Sequence, residues 1–539
     1  VKLHPLLLSI LAGLLFAFSW PETGGLTCLI FLAFVPLLMV EDRVAANPEK
    51  YRSRQLFFYS YITFFLWNLI TTWWVKNASF GGAVMAIVFN ALFMSVVFQM
   101  YHILRKKTKG QGSVLILASF WMAFEYLHLR WDLTWPWLIL GNVFAGSPWM
   151  IQWYEYTGVF GGDVWIFAVN FLVFYFLKKD VLSKPVQFRV YWKPVLCVAL
   201  CLIGPVLISL LIRLPVIEMG TVSKKRNPEI VIVQPNIDPY NEKFNGSYRE
   251  QLTKMLALAE TKIDSNTNCV VFPETALTEN LWENDLQKTY SIQALHLFQQ
   301  NHPKLDIVIG ASSAYQYQLG EDRSPTAKKF SDANEYYEDY NTALFLSASG
   351  SVEKYHKSKF VPGVEMMPFP ALLKPLEKLA INMGGTTGSL CGQKERTVFV
   401  SKTNALKIAP AICYESVFGE FVTQYVKKGA NVIFIITNDG WWGDTPGYRQ
   451  HLAYARLRAI ETRRSVVRSA NTGTSCFIDR WGNVTQATAW WKPAVIKQTV
   501  LLGEEQTFYV KQGDYLARIA IGITAFFLLY WLFIRFRRT

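Results

Sequence analysis

Charge is what this sequence has little of. Only 17% of its 539 residues are Asp, Glu, Lys or Arg, where a soluble domain carries roughly a quarter. That deficit argues against a chain that is soluble throughout. Histidine is sparse as well, at 7 residues. No cluster with metal-ligand spacing is visible, so neither a metal nor any other cofactor is expected. The cysteines are Cys28, Cys197, Cys201, Cys269, Cys391, Cys413 and Cys476. Their number is odd and they contain no C-x-x-C pair, which argues against a disulfide scaffold and leaves at least one thiol free. Fixed-period repeats and low-complexity tracts are also missing.

What is present is apolar: 51% of the chain is hydrophobic and 15% aromatic. The length predicts at least two domains. Runs near the span of a bilayer, about 20 residues, fall near 4–20, 25–40, 55–75, 80–103, 113–129, 160–178, 193–214 and 515–534. The run at 25–40 is the shortest. The first is expected to be a retained span, because Pro21-Glu22-Thr23-Gly24-Gly25 offers no signal-peptidase-like site. Basic residues gather in alternate loops: Arg43, Lys50, Arg52 and Arg54; then Arg105, Lys106, Lys107 and Lys109; then Lys178, Lys179, Lys184 and Arg189. The positive-inside rule assigns that side to the cytoplasm. Seven spans then deliver the segment after Pro215 to the outside, and an eighth returns Arg535, Arg537 and Arg538. The net charge of +14 is thus read as topology and lipid attraction. No nucleic-acid motif accompanies it. The tryptophans at 131, 135, 137, 149 and 153 read as an interfacial belt or as a lipid-facing rim.

Residues 225–505 change character. Short β-rich runs at 229–233, 269–272, 307–309, 406–409 and 432–436 alternate with helical patterns at 249–263, 419–428 and 449–463. Buried strands separated by helices predict an α/β domain. Three expected strand ends carry reactive groups: Phe272-Pro273-Glu274-Thr275 and Ala411-Ile412-Cys413-Tyr414-Glu415, each closing an apolar run, and Tyr355-His356-Lys357 with Glu365 following. Alone, each has a plain reading. A Glu after Pro is a cap or surface charge, a Lys is solvated, and a Cys beside a strand is core. Together they can do chemistry. A thiol needs a base, which Glu274 can be. A tetrahedral intermediate needs a cation near its oxygen, which Lys357 can be. His356 is expected to face away, since neighbours in an extended segment alternate. Cys391 and Cys476 read as surface or packing residues.

The motifs FPET, YHKSKFVP and CYE, followed by Thr437-Asn438-Asp439-Gly440-Trp441-Trp442-Gly443-Asp444 and Arg468-Ser469-Ala470-Asn471-Thr472-Gly473, resemble the Glu-Lys-Cys triad and flanking motifs of the nitrilase, or carbon–nitrogen hydrolase, superfamily. A domain of that kind between seven spans and one terminal span resembles the apolipoprotein N-acyltransferase branch over essentially the whole chain. The resemblance implies a polytopic α-helical membrane bundle (1–220), a nitrilase-like αββα four-layer sandwich (225–505) on the periplasmic side, and a C-terminal span (512–539). It implies residence in the bacterial inner membrane, as a monomer. The implied reaction is ping-pong. Cys413, as nucleophile, takes a fatty acyl chain from phospholipid as a thioester and passes it to the α-amine of the S-diacylglyceryl cysteine of an apolipoprotein. Position by position, Glu274 is the implied base and Lys357 the oxyanion-side cation, with Glu365, Tyr414 and Glu415 in support.

Two departures from the pattern stand out. The chain reads Val361-Pro362-Gly363-Val364-Glu365 where V-P-F-G-E is usual, and Phe244 stands where a tryptophan is usual. The apolar segment 363–390, with Met366, Met367, Phe369, Leu372, Leu373 and Leu376, reads as a lipid-facing lid or as simple packing. Gln318–Asp339 reads as a solvated insertion. Two rival functions remain at this point: a membrane-tethered amidase or nitrilase-type hydrolase, and a non-enzymatic transporter or receptor. The transporter would need a ladder of charges within the membrane; Glu125 and His128 alone do not make one.

Overall fold

The structure, a computed structural model, describes residues 3–178, 188–214, 227–369 and 389–536. Lys179, Lys184, Arg537, Arg538 and the lid residues Leu372, Leu373 and Leu376 lie outside them. The chain divides into two compact units: Val1–Lys76 with Phe80–Pro215 and Gln512–Thr539, and Asn77–Ser79 with Val216–Lys511.

The first unit is helical. Its long helices are Pro5–Ser19, Ser53–Thr72, Phe80–Lys107, Ser113–His128, Val159–Phe176, Phe188–Arg213 and Tyr515–Phe536. By length and composition Phe80–Lys107, Val159–Phe176, Val195–Arg213 and Tyr515–Phe536 can cross a membrane, and Pro5–Ser19 and Ser113–His128 are shorter apolar helices. The run at 25–40 is not one helix. It breaks into a 3-10 turn at Thr27–Leu29, a single turn at Ile30–Ala33 and a helix at Val35–Ala46. Pro36 cannot supply an N–H to a continuous helix. Asn170 repairs the break: its Oδ1 accepts from the Phe34 N–H (2.9 Å) and its Nδ2 donates to the Ile30 carbonyl (2.9 Å). Broken backbone survives at membrane depth only with such partners. Arg105 and Lys178, from two of the basic loops, both reach Asp42 of a third, at 2.8 and 2.6 Å. These three loops therefore share one end of the bundle. The tryptophan-rich segment is no uniform belt. Trp137 is fully buried against Trp74 (centroids 5.0 Å apart), whereas Trp149 is exposed.

Among the described residues, the second unit holds two sheets. The first contains β1 (Glu229–Gln234), β2 (Thr267–Val271), β3 (Leu277–Trp282), β4 (Asp306–Gln316), β5 (Lys328–Lys329), β6 (Tyr336–Leu346), β7 (Val352–His356) and, at the far edge, β14 (Ala494–Thr499). Its order is β14-β1-β2-β4-β6-β5. The second contains β8 (Phe399–Val400), β9 (Lys407–Ile412), β10 (Val432–Thr437), β11 (Val466–Ala470), β12 (Cys476–Ile478) and β13 (Val484–Thr485), in order from β13 to β8. The central strands β1-β2-β4 and β9-β10-β11 run parallel. All of Ile230–Val233 and Val432–Thr437 is buried, as expected of parallel strands covered on both faces. Val231, Val233, Val270 and Ile307 pack with Leu252, Met255 and Ile292 of the helices Tyr248–Glu260 and Tyr290–Asn301. The helices Gly419–Lys427 and Pro446–Thr462 cover the second sheet, and β1 meets β11 between the sheets. The unit is thus the expected helix–sheet–sheet–helix sandwich. The polar run 318–339 departs from its reading as a solvated insertion. Its end pairs with β4 from Tyr337 onward, and Glu338 is buried, accepting from Tyr317, Thr326 and Ser324.

Candidate active site

The parallel strands β2 and β9 each end on a bend. After β2 the chain turns through Pro273 and Glu274 to Thr275, whose φ is +45°. This turn lies against Gly310 of β4. A Cβ there would sit 2.5 Å from the Thr275 nitrogen and 2.6 Å from the Glu274 Cα, so only glycine admits the approach. After β9 the chain enters the 3-10 turn Cys413–Val417, with Cys413 itself at φ +48°. A non-glycine residue in that region costs on the order of 1 kcal/mol and is held by its surroundings. Here the holding groups are visible. The Cys413 carbonyl accepts from Ser416 Oγ (2.7 Å) and from His451 Nε2 (3.1 Å).

Glu274 and Lys357 meet inside the sandwich. The Lys357 ammonium donates to Glu274 Oε1 (3.1 Å) and to Glu365 Oε1 (2.6 Å), and the lysine side chain is 1% exposed. Glu274 Oε1 also accepts from Asn341 Nδ2 (2.8 Å), and its Oε2 accepts from the Asn438 N–H (3.0 Å). Glu365 is turned onto the lysine by its own loop: Gly363 sits at φ +75°, the Glu365 N–H donates to the Val361 carbonyl, and Glu365 Oε2 accepts from the Val361 N–H (2.9 Å). The altered turn therefore still carries the carboxylate to Lys357. His356 points the other way, with Nε2 on Glu283 Oε1 at 2.7 Å.

The electrostatics follow from these contacts. Burial opposes the Glu274 charge, but Lys357, the Asn341 amide and Lys243 outweigh it and hold the carboxyl below its ordinary range. Burial also opposes the Lys357 charge, and Glu274, Glu365 and Cys413 outweigh it in turn. The Cys413 thiol is driven far up, first by burial and then by the negative charge of Glu274, against the pull of Lys357 and the Thr437 hydroxyl. At rest the site therefore holds an ionised carboxylate, an ammonium and a protonated thiol. That set can pass a proton from thiol to carboxylate when an electrophile arrives.

Tyr414 is buried edge-on against Phe418 (5.2 Å). Glu415 is fully buried and accepts from the Tyr355 hydroxyl (2.6 Å), the Ser358 N–H (2.7 Å) and the Ile412 N–H (2.8 Å). It ties the end of β9 to the chain leaving β7, so it braces Cys413 and Lys357 together. Burial pushes its carboxyl up to about 7.

Several residues of the site were not singled out from the sequence. Asn341 and Asn438 orient Glu274. Lys243 lies beside it. Beneath Cys413 a fully buried set runs from His451 to Asp439 and Arg468. Arg468 NH2 lies within hydrogen-bond reach of both Asp439 oxygens (2.9 and 2.8 Å) and of His451 Nδ1 (3.0 Å). His451 Nδ1 also lies 3.3 Å from Asp439 Oδ1, and Nε2 faces the Cys413 carbonyl (3.1 Å) and Ser416 Oγ (3.0 Å). The motifs containing Asp439 and Arg468 were visible, but their roles depend on contacts across β10 and β11. Among the described residues no group of three or more His, Cys, Asp or Glu side chains suited to a metal ion is present.

Comparison with known proteins agrees with this architecture. Residues 230–508 match the carbon–nitrogen hydrolase family, and residues 12–172 match the apolipoprotein N-acyltransferase N-terminal domain. The chain is similar to the apolipoprotein N-acyltransferase of Chlorobaculum tepidum, at 30% identity over 531 residues, covering 96% of this chain and 95% of that one. It is 27% identical to the protein of the same name from Geobacter metallireducens, covering 95% and 92%. Among solved structures it is similar to an amidase from Nesterenkonia sp., at 14% identity and a TM-score of 0.36, covering 56% of this chain and 98% of that one. With a carbon–nitrogen hydrolase domain, a matching N-terminal domain and near full-length similarity to these enzymes, the chain is an acyltransferase of the membrane and belongs to the apolipoprotein N-acyltransferase family.

Proposed function

We propose that the protein moves a fatty acyl chain from a phospholipid, through a thioester on Cys413, to the α-amine of the S-diacylglyceryl cysteine of an apolipoprotein. In the first half-reaction Glu274 takes the thiol proton as sulfur attacks the ester carbonyl, and the Lys357 ammonium faces the developing oxyanion. The tetrahedral adduct collapses, the C–O bond breaks, and protonated Glu274 returns its proton to the departing lysophospholipid alkoxide. In the second half-reaction the neutral amine attacks the thioester, the C–S bond breaks, and the amine's proton reaches sulfur by way of Glu274. Glu365, sharing Lys357, keeps the ammonium in place through both steps. Tyr414 and Glu415 support the turn that presents the cysteine.

The observation that carries this reading is the buried Glu274–Lys357–Glu365 row beside a protonated thiol. Apolar helices of spanning length favour a lipid donor, since a soluble amide needs no access to a bilayer. The alternating basic loops support a seven-span bundle over 1–220, a periplasmic catalytic domain over 225–505 and a returning span over 512–539, in a bacterial inner membrane. The enzyme is read as a monomer.

The test is incubation of the full-length protein with vesicles of acyl-labelled phospholipid. A hydroxylamine-sensitive adduct is expected in the wild type and is expected to be lost in Cys413→Ala. Addition of a diacylglyceryl-cysteine peptide should discharge the adduct into amide. No adduct would sink the reading, and discharge by water alone would make the protein a hydrolase.

A further inference from the structure

Lys243 is a buried charge that the reaction above does not use. It follows β1, in Asn241-Glu242-Lys243-Phe244, and is 2% exposed. A lone lysine near a loop is ordinarily solvated, and placing its ammonium in a protein interior is costly unless something answers it. None of its hydrogen-bond partners here is a carboxylate. Nζ donates to the Glu274 backbone carbonyl (3.1 Å) and to Thr275 Oγ1 (2.5 Å). The third acceptor is Asn438 Oδ1 at 3.1 Å, which also accepts from Trp441 Nε1 at 3.2 Å. Turned this way, the amide oxygen meets two donors, Lys243 and Trp441, and the NH2 faces Asn471 Nδ2 at 3.2 Å; the reverse would satisfy that one donor and set the NH2 against the other two. Three N–H bonds thus find three oxygens, the full complement of a charged ammonium. The lysine's backbone is itself anchored. Its N–H donates to the Asp238 carbonyl (2.9 Å), and its carbonyl accepts from Gln251 Nε2 (3.1 Å).

Those partners belong to the two segments that hold the Glu274 carboxylate. One is the left-handed turn Glu274–Thr275. The other is Asn438, whose N–H binds Glu274 Oε2 (3.0 Å). We propose that Lys243 is a positioning residue for the base: its ammonium clamps the turn after β2 to the loop after β10, fixing where the Glu274 carboxylate stands and adding a second positive charge beside it. This rests on Glu274 being the base. The ionisable groups that bear on the lysine are Glu274 and Cys413, both favouring its charge, but burial dominates and brings it down to about 8. A neutral amine offers only two N–H donors and leaves one of the three oxygens unmet. The clamp therefore loosens as pH rises through about 8.

The experiment measures the rate of Cys413 acyl-adduct formation against pH, using the full-length protein and mixed phosphatidylethanolamine–phosphatidylglycerol vesicles carrying a labelled acyl chain. In the wild type the rate should fall above pH of about 8. Lys243→Met should lower the rate at pH 7 by on the order of 10- to 100-fold, the scale of losing hydrogen bonds to a charged group, and should show no fall near pH 8. Lys243→Arg, whose guanidinium stays charged, should move the fall to higher pH. A Lys243→Met protein with the wild-type rate and profile overturns the proposal. If that variant does not fold, a Lys243→Arg profile that falls at the same pH as the wild type overturns it. Glu274→Gln separates the two claims. If Glu274→Gln still forms adduct normally, the base assignment fails and this inference falls with it. If it does not, while Lys243→Met is unaffected, only the role of Lys243 fails.

Discussion

Replacing Lys357 by methionine removes one cation from between two carboxylates, and the consequence can be worked from the distances. At an effective dielectric constant of about 20, a unit pair at 3.1 Å is worth about 5 kcal/mol and one at 2.6 Å about 6 kcal/mol. Desolvation of the three charges offsets much of this. What remains is the cost of leaving carboxylates buried without a partner, about 3–5 kcal/mol for a broken buried pair. In a domain of this size that corresponds to a fall in melting temperature on the order of 6–10 °C. The effect should depend on pH in a stated sense. Lys357 is the largest of the influences that hold the Glu274 carboxyl down. Without it that carboxyl rises and takes up a proton, which relieves the buried charge, so Lys357→Met should be less destabilised at pH 5 than at pH 8. Adding Glu274→Gln to Lys357→Met should recover part of the lost stability at pH 8 while adduct formation stays absent. The assay is a thermal melt of the purified protein in detergent at both pH values, paired with the adduct measurement. A variant that melts within about 2 °C of the wild type at pH 8 would refute the account of Lys357 as the charge that keeps Glu274 ionised.

Three further outcomes follow from the same contacts. Gly310→Ala places a Cβ 2.5–2.6 Å from the Pro273–Thr275 backbone. It should displace Glu274 and cut adduct formation at least about tenfold while the helical unit is unaffected, as circular dichroism and the adduct assay would show. Arg468→Met leaves Asp439 buried without its guanidinium partner; a loss of about 3–5 kcal/mol is expected in thermal melts, and Arg468→Lys, which cannot reach Asp439 and the Thr474 carbonyl with two separate nitrogens, should recover only part of it. Burial pushes the Glu415 carboxyl up to about 7, from an ordinary value of 4.5. Between those values the folded state holds more protons than the unfolded state. Its contribution to stability should therefore fall as pH rises through that window, and Glu415→Gln should flatten the trend in melting temperature measured from pH 4.5 to 8.

The strands that were legible were those whose surroundings are simplest. Glu229–Gln234 and Val432–Thr437 lie between a helix layer and a second sheet, so they read as unbroken apolar runs. β6 was hidden because its first half, Tyr336–Tyr340, is polar and buried only at Glu338, while its second half, Asn341–Leu346, is buried throughout. The break near Phe34 could be suspected from Pro36, but the side chain that makes it tolerable, Asn170, lies 136 residues away. At the site, Glu274 and Cys413 announce themselves by closing apolar runs, whereas Lys357 follows the mixed strand Val352–His356 and is marked only by its motif. Lys243 has neither sign. One lysine among 54 Lys and Arg residues carries no mark of burial, and only the approach of Glu274, Thr275 and Asn438 gives it one. The same holds for His451, which meets Asp439 and Arg468 only where β10 and β11 bring them to its helix.

The proposed role of Cys413 also bears on how a nucleophilic cysteine would be kept safe. Thiolate, not thiol, is the form that oxidises readily. Cys413 is held as thiol by burial and by the Glu274 charge, so the resting site presents little thiolate to oxidants. Releasing its proton to solvent would add an uncompensated negative charge to a space where Lys243 and Lys357 already face Glu274 and Glu365. Passing the proton to Glu274 changes no net charge: the carboxylate is neutralised as the sulfur becomes negative, with Lys357 beside both. On this reading the internal transfer is the only inexpensive route to thiolate, and it runs downhill only when the developing sulfur charge is drawn off into a carbonyl. On the proposed mechanism, burial that would disable an isolated thiol thus couples its activation to the arrival of the acyl donor.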